Sequence, residues 1–309
     1  MKPTHQTWQS TRAQTVGGAL VALALVAVFA SAPTGQAATN RVVVAQELDA
    51  AYSFAGPAAT FGNGQRIGSV TEHQADVRYV ISPQLSRDIL LRLGAEWERF
   101  AFDAPRTAPL PETLQAVSVI IGFDYQIADQ WLMRVELQPG IYNDGHDVSG
   151  RSLNAPLVLG AAFLKDADTQ WFFGLRVDGR SQYPVLPAVG VRWKYAADWT
   201  LNLQLPRPRL EYDVNDKVQL YLGVGIEAGT FVVGEHFGDD RGLPQLNRAT
   251  VDYYEVRVGL GCSWKIHPMV TIEAQAGCQL NRRWDFGEQH ISVSSRETPS
   301  IQLACHARF

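Results

Sequence analysis

Apolar and polar residues alternate along most of the chain after residue 40. Between residues 115 and 126, for example, Val117 and Val119 share one parity while Ser118 and Gly122 occupy the other. Successive side chains of a β-strand point to opposite faces, so this alternation predicts strands with one apolar and one polar face. The helical period of 3.6 residues fits these segments less well. The chain is therefore predicted to be all-β after this point.

Twelve segments carry the alternation, and most are longer than the usual soluble strand of about 5–6 residues. They are 41–54, 70–81, 87–99, 115–126, 131–141, 153–164, 171–178, 185–195, 217–231, 251–265, 269–281 and 300–309. A tilted strand needs about 9–11 residues to cross a bilayer. The segment lengths therefore favour strands that span a membrane.

The connections between these segments alternate in length. The short ones are 82–85, 128–130, 166–169, 196–198 and 267–268, and the long ones are 55–69, 101–113, 142–152, 179–184, 232–250 and 282–299. Short turns at one end and long loops at the other are typical of bacterial outer-membrane barrels. The pattern predicts an antiparallel up-and-down transmembrane β-barrel with its short turns and both termini in the periplasm.

The stretch 199–214 leaves two strand counts open. Its two alternating halves are short, and Pro206 and Pro208 between them cannot donate hydrogen bonds to a sheet. A hairpin that joins the wall gives 14 strands, whereas one that folds over the wall or into the lumen gives 12. We favour 12 strands, and either even count keeps both ends on the same side.

Aromatic residues support the membrane interpretation independently. Five tryptophans flank the predicted short turns: Trp131, Trp171, Trp193, Trp199 and Trp264. Membrane barrels carry aromatic girdles where their outer surface meets the lipid headgroups. Phe309 ends the last strand on the apolar parity and belongs to the same girdle.

The N-terminal segment has the order of a secretory signal peptide. Lys2 and Arg12 precede an apolar run from Gly17 to Ala32, and small residues follow it up to Ala37. We predict a signal peptide at 1–37 and a barrel at 38–309. Removing the signal changes the formal charge from −4 to −6, which argues against nucleic acid as a partner.

Two features of the sequence resemble known outer-membrane proteins. Phe309 resembles the C-terminal aromatic signature of outer-membrane β-barrels, which implies an assembly signal read by the barrel-assembly machinery after secretion. The stretch WTLNLQLPRPRLEYDVND from Trp199 to Asp216 resembles an uncharacterised family of bacterial outer-membrane barrels, a domain of unknown function. The resemblance implies outer-membrane lipid as the surroundings of the barrel and implies no activity.

The parity opposite the apolar face predicts a lumen in which acids and bases are mixed. The candidate lumen-lining residues are Glu72, Asp76, Arg78, Arg92, Glu96, Glu98, Asp124, Arg134, Glu136, Arg176, Arg192, Glu227, Glu255, Arg257 and Glu273. Barrels of about 8 strands have filled interiors and those of about 16–18 have open channels, so 12–14 strands allow either state. The charges fit a passive or gated conduit for small polar solutes. The alternative is a salt-bridged structural or surface-interaction barrel.

An enzyme is the third alternative. His290 and Ser292 have the two-residue spacing with which an imidazole can activate a hydroxyl on one face of a strand, as in outer-membrane lipid hydrolases. The pair falls in a predicted loop without a positioned acid, so we predict a non-enzymatic protein with no cofactor and no metal site. Cys262, Cys278 and Cys305 lie on the apolar parity, where we expect free thiols in place of a Cys278–Cys305 bridge.

Overall fold

The computed structural model describes residues 44–309, so the predicted signal peptide lies outside the described residues. The strands are β1 (Val44–Gly62), β2 (Gln65–Ser86), β3 (Ile89–Asp103), β4 (Thr113–Ala128), β5 (Trp131–Leu137), β6 (Gly140–Asn143), β7 (Leu153–Asn154), β8 (Leu157–Leu164), β9 (Thr169–Val177), β10 (Val185–Lys194), β11 (Trp199–Asn202), β12 (Arg209–Asp213), β13 (Val218–Val232), β14 (Thr250–His267), β15 (Val270–Phe286), β16 (Ile291–Ser295) and β17 (Thr298–Arg308). Three single-turn 3₁₀ helices lie at Asp239–Arg241, Pro244–Leu246 and Gly287–Gln289.

The strands form one closed antiparallel barrel of 14 wall positions. Three positions each hold two consecutive strands, namely β5 with β6, β7 with β8, and β16 with β17. The barrel closes where β1 pairs with β2 on one side and with β17 on the other. Closure leaves few free edges, which is the condition for a sheet that spans a bilayer.

The favoured count of 12 strands is wrong, and the 14-strand alternative is observed. Both halves of the 199–214 hairpin join the wall, because β11 pairs with β10 and β12 pairs with β13. They fill the space between the facing edges of β10 and β13 at the short-turn end. The prolines at positions 206 and 208 shorten the two strands instead of excluding them from the wall.

Several predicted loops are strand. Segment 55–69 forms a tight hairpin whose turn residues, Asn63 and Gly64, both have positive φ (50° and 78°), as a two-residue turn requires. A bulge between Ala55 and Ala58 absorbs the Gly-Pro pair that suggested a loop. Segment 282–299 likewise continues the β15–β16 pairing to Phe286. Segment 82–85 lies in β2, and the turn follows at residues 87–88.

The long-loop end of the barrel encloses an apolar core. Its buried members are Val70, Phe100, Phe102, Ala108, Leu110, Leu114, Ala116, Tyr142, Phe231, Val233, Phe237, Leu246, Ala249, Val251, Tyr253, Trp284, Phe286 and Val293. At this height Val232 of β13 meets Asn143 of β6 in a parallel bridge, although six other strands lie between them in the chain. The taller strands therefore close against each other above the shorter ones. We call this core the apolar plug.

The outer surface of the barrel exposes large apolar side chains along its length. Leu260 is 69% exposed, and Leu303 and Ile301 are 56% and 55% exposed. An apolar surface of this extent is unusual for a soluble monomer and is the property of a surface that contacts lipid.

Candidate functional site

The interior below the apolar plug is crossed by ion pairs between strands that are not neighbours in the wall. Arg78 of β2 lies 2.6 Å from Glu136 of β5 and 3.1 Å from Glu96 of β3. Arg92 of β3 reaches Glu47 of β1 at 3.2 Å. Strands β2 and β5 are separated by β3 and β4, so the Arg78–Glu136 contact runs through the inside of the barrel.

Near the short turns the ion pairs are partly open to water. Arg92 is 2% exposed and also contacts Glu136 at 3.4 Å and Asp124 at 3.6 Å. The next arginine, Arg134, holds Asp124 with two hydrogen bonds of 2.7 and 2.8 Å, but its side chain is 45% exposed. Exposure therefore rises toward the turn that joins β4 and β5.

A second group of charges lies under the apolar plug and is fully buried. Glu72 accepts hydrogen bonds from Arg257 at 3.0 Å, from Tyr253 at 3.1 Å and from Arg282. Glu255 pairs with Arg257 and accepts a hydrogen bond of 2.9 Å from the Tyr253 hydroxyl. Two arginines balance two glutamates here, so this layer is compensated without an additional ion.

Between these two layers lies a group with fewer bonds. Asp76 and Glu98 stand opposite each other in the β2–β3 register, and Glu98 accepts a 3.3 Å hydrogen bond from Gln74. Glu227 of β13 pairs with Arg207 at 3.2 Å. Arg207 lies in segment 203–208, which joins β11 to β12. From this segment its side chain reaches the middle group of charges.

The remaining predicted residues lie on other parts of the wall. Glu273 is held by Arg209 through bonds of 3.0 and 2.9 Å and accepts one from Ser263 at 2.9 Å. Arg176 lies 3.5 Å from Asp178 near the end of β9. Arg192 stands opposite Asn202 in the β10–β11 register and has no ion pair within residues 44–309.

Sequence reasoning missed three arginines of this interior: Arg207, Arg209 and Arg282. The first two flank Pro208 in a segment with no assigned face. Arg282 was assigned to a loop, and a bulge at Leu280 reverses the parity of the strand between Gln279 and the arginine. The signal was present, because Arg282, Trp284 and Phe286 alternate with one another.

Two loops cover the long-loop end and contribute side chains such as Leu110 and Phe237 to the apolar plug. Arg241 in the loop 233–249 donates hydrogen bonds to the carbonyls of Ala108 at 3.1 Å and Leu110 at 3.0 Å, both in the loop 104–112. It donates a third bond of 3.0 Å to Phe237 and lies over that ring at 4.1 Å. Burial lowers the pKa of Arg241, which as an arginine still stays protonated at neutral pH. We call these two loops with Arg241 the loop lid.

The charged interior contains a small cavity of about 20 Å³, room for a single water, between Arg207, Arg209, Glu227 and Arg257. A larger pocket of about 180 Å³ lies outside, between the long loops, and His146 is among its lining residues. The apolar plug fills the long-loop end of the described interior.

The His290–Ser292 pair does not form a nucleophile. His290 is exposed and has a positive φ of 55° at the end of a 3₁₀ helix, whereas the Ser292 hydroxyl accepts a 2.9 Å hydrogen bond from Arg283. Within residues 44–309, no hydrogen bond joins the two side chains. No group of three His, Cys, Asp or Glu side chains is placed to hold a metal ion in this part of the chain.

The three cysteines are free thiols. Cys278 lies opposite Pro299 and Cys305 lies opposite Ile272, so the two cysteines are displaced by six residues along paired strands. A disulfide bond between them is impossible at this register. The hairpin loop is centred between Glu288 and Gln289, whereas the bridge required a centre near residue 291.

Fold and exterior together define a β-barrel of the outer-membrane type, as the sequence predicted. The chain belongs to the family described as Domain of unknown function (DUF6268), whose model matches residues 84–309. This is the uncharacterised barrel family that the sequence resembled. No helix in residues 44–309 is both long and apolar enough to cross a membrane.

Solved structures with a similar fold are distant in sequence. An outer membrane channel from Pseudomonas putida F1 is 11% identical with a TM-score of 0.47, over 89% of this chain and 100% of that one. The TodX monoaromatic hydrocarbon channel, as a deletion mutant, is 10% identical with a TM-score of 0.36, over 86% and 90%. The NanC porin is 9% identical with a TM-score of 0.38, over 84% and 98%. A search of curated protein sequences found no match.

Proposed function

We propose that this protein is a non-enzymatic conduit for small polar solutes in the bacterial outer membrane, gated by the loop lid. The observation that carries the proposal is the cross-barrel charge network, which becomes more exposed toward the short turns. Buried Arg92 and half-exposed Arg134 both contact Asp124. Charged groups that water reaches from one end set a field for solutes.

The orientation is part of the proposal. The tryptophans beside the short turns form the periplasmic girdle, so both termini of the barrel lie in the periplasm and the loop lid faces outward. The terminal residue, Phe309, exchanges backbone hydrogen bonds of 2.9 and 3.1 Å with Gln46 across the β1–β17 seam. Its ring is 41% exposed, as suits an outward residue that the assembly machinery reads before the seam closes.

Conductance of the purified barrel in a planar lipid bilayer tests the proposal. Mixed charges predict weak ion selectivity, and Arg134→Glu should shift the reversal potential modestly toward cations. Arg134 is preferable to Glu136 because Glu136 is 3% exposed and holds Arg78 and Arg92, so its reversal would disturb folding. The matched control is Arg283→Glu, whose side chain is 52% exposed in the upper part of β15.

The outcomes separate the conduit from the alternatives. Openings whose selectivity responds to Arg134→Glu and not to Arg283→Glu support the conduit. A barrel that folds but never conducts, even with the loop lid destabilised, would favour a structural role, because the buried Glu72 layer also serves as a compact core. Lipid hydrolysis that disappears in Ser292→Ala would instead favour an enzyme.

A further inference from the structure

The barrel wall is interrupted between β10 and β13. At the short-turn end, β11 and β12 fill the space between these strands, but they contain only 4 and 5 residues. Their neighbours β10 and β13 contain 10 and 15 residues. The last bonds of the hairpin to the wall are Leu203 to Val191, at 2.8 Å, and Ile226 to Pro206, at 3.1 Å. Above these bonds the two long strands have no strand between them.

The facing edges of the interruption carry unpaired backbone groups. Odd-numbered residues of β10 point their backbone groups toward β11, as the Leu203–Val191 bond shows, so Val189, Pro187 and Val185 point into the interruption. Even-numbered residues of β13 do the same on the other side, beginning with Ala228. Within residues 44–309, no backbone hydrogen bond joins β10 to β13. Pro187 has no N–H to leave unpaired, which is typical of an edge strand.

The interruption has a closed frame and so is a window. Hairpin residues 203–208 bound it below. Above, loop 178–184 leaves the top of β10 and reaches β14, where the Gln182 backbone N–H donates a 2.8 Å hydrogen bond to Asp252. We call the opening bounded by Val185–Val189, 203–208, Ala228 and loop 178–184 the side window.

The side window lies at the depth of the lipid tails. Val189 and Val185 are four and eight residues above Trp193 of the periplasmic girdle. With a rise of about 3.3 Å per residue and a tilt of about 40°, they lie about 10 and 20 Å above the girdle, within an apolar band about 25 Å tall. Backbone polar groups at this depth are not left against lipid tails, and an irregular wall is found where it lines a water-filled cavity.

The inner wall beside the side window differs from the rest of the interior. Most inward positions of β8, β9 and β10 in this region are small or apolar: Val158, Gly160, Ala162, Phe172, Gly174, Leu186 and Ala188. The charged exception is Arg176, which stands between Val158 and Leu186 in the register and pairs with Asp178 at 3.5 Å. Leu186 belongs to the inward parity yet is 43% exposed. The charges of the middle layer begin next to this surface, with Arg207 at the base of the window and Glu227 on its opposite edge.

We propose that the side window is a lateral port through which a small amphiphilic solute passes between the barrel interior and the outer leaflet. The apolar part of the solute contacts the β8–β10 surface and the lipid tails, while its polar part stays with the charged interior. The port refines the solute class of the proposed conduit and rests on it. It also supplies an exit that the closed loop lid does not provide.

Lipid access to Leu186 tests the port without requiring transport. In a variant lacking Cys262, Cys278 and Cys305, Leu186→Cys is labelled with bimane and reconstituted in vesicles whose acyl chains carry doxyl quenchers. We expect a loss of fluorescence approaching that of Leu260→Cys on the outer surface. Ala162→Cys, inside the barrel and two strands away from the free edge, should lose little. A Leu186 label quenched no more than the Ala162 label overturns the port, whatever the conductance shows.

Blocking the side window tests passage. The double variant Ala188→Trp with Ala228→Trp should abolish barrel-dependent uptake of N-phenyl-1-naphthylamine by cells, while Ala274→Trp on the outer face should retain it. Migration of the folded barrel in unboiled gels verifies that each variant assembles. Uptake that survives the double substitution, or that never depended on the barrel, contradicts the proposal. If the conduit proposal is wrong but the port exists, planar bilayers show no conductance while the Leu186 label is still quenched.

Discussion

Replacing Arg241 should open the proposed gate. Within the described residues, Arg241 is the only residue of loop 233–249 whose side chain donates hydrogen bonds to the backbone of loop 104–112. All three of its hydrogen bonds end on carbonyls, so Arg241→Met removes the charged donors while retaining most of the apolar stem over Phe237. The two loops also contribute apolar side chains such as Leu110 and Phe237 to the plug, and the substitution leaves those contacts in place, so it tests the Arg241 hydrogen bonds.

The expected size follows from the contacts. A hydrogen bond from a charged donor contributes about 1.5–3 kcal/mol, but water replaces part of that when a half-buried group is freed. We expect a loss of about 2–4 kcal/mol from the closed state. Since about 1.4 kcal/mol is a factor of ten, the ratio of open to closed states should rise about 30- to 700-fold.

Single-channel recording of the purified barrel measures this ratio as open probability. The matched control is Arg248→Met in the same loop. Arg248 pairs with Glu235 at an exposed site, where that bond lowers the pKa of Glu235 and screening by water leaves little net stabilisation. An Arg241→Met barrel that folds and opens no more often than Arg248→Met would refute the proposal that Arg241 holds the loop lid closed. Arg241→Lys keeps one charge but has fewer directed donors, so its open probability should lie between those of the unaltered barrel and of Arg241→Met.

Three further substitutions test other parts of the molecule. Deleting Phe309 should reduce the amount of barrel in the membrane, measured as the folded band in unboiled gels; normal levels would dismiss an assembly signal. Phe100→Ala should cost about 3–5 kcal/mol in micelle unfolding because the ring is fully buried, and a loss as small as that of Leu260→Ala would contradict the apolar plug. Glu72→Gln should cost about 3–5 kcal/mol, and combining it with Arg282→Met should cost less than the sum; additive losses would argue against the buried pair.

The wall of the barrel could be predicted from the sequence because lipid imposes one parity on each strand. Twelve segments identified by alternation all contain observed strand. The predicted strand count was wrong at 199–214, because the two short halves of this stretch pair with β10 and β13. Those partner strands lie outside the stretch, so its own residues carry no signal of the pairing.

The interior was predictable only in part. Phe100 and Phe102 continue the parity of Glu96 and Glu98, so the change from charged to aromatic was readable along a single strand. Their burial depends on the narrowing of the upper barrel, where Val232 meets Asn143. Bulges at Ala55 and Leu280 insert a residue into the strand and exchange its inward and outward positions beyond that point. The alternation of residue types does not reveal where such an insertion lies.

The division of the interior into an apolar half and a charged half bears on function. Replacing a buried ion pair with apolar residues of similar volume is often neutral or stabilising. This chain already fills its upper half with side chains such as Phe100 and Trp284, so apolar filling is available to the fold. Stability alone therefore gives no reason for charges in the lower half. Contact with water and a polar solute gives such a reason, because the charges become more exposed toward Arg134 and border the side window at Arg207 and Glu227. The same reasoning predicts that apolar replacement of the Arg134–Asp124 pair leaves the barrel folded while reducing its conductance.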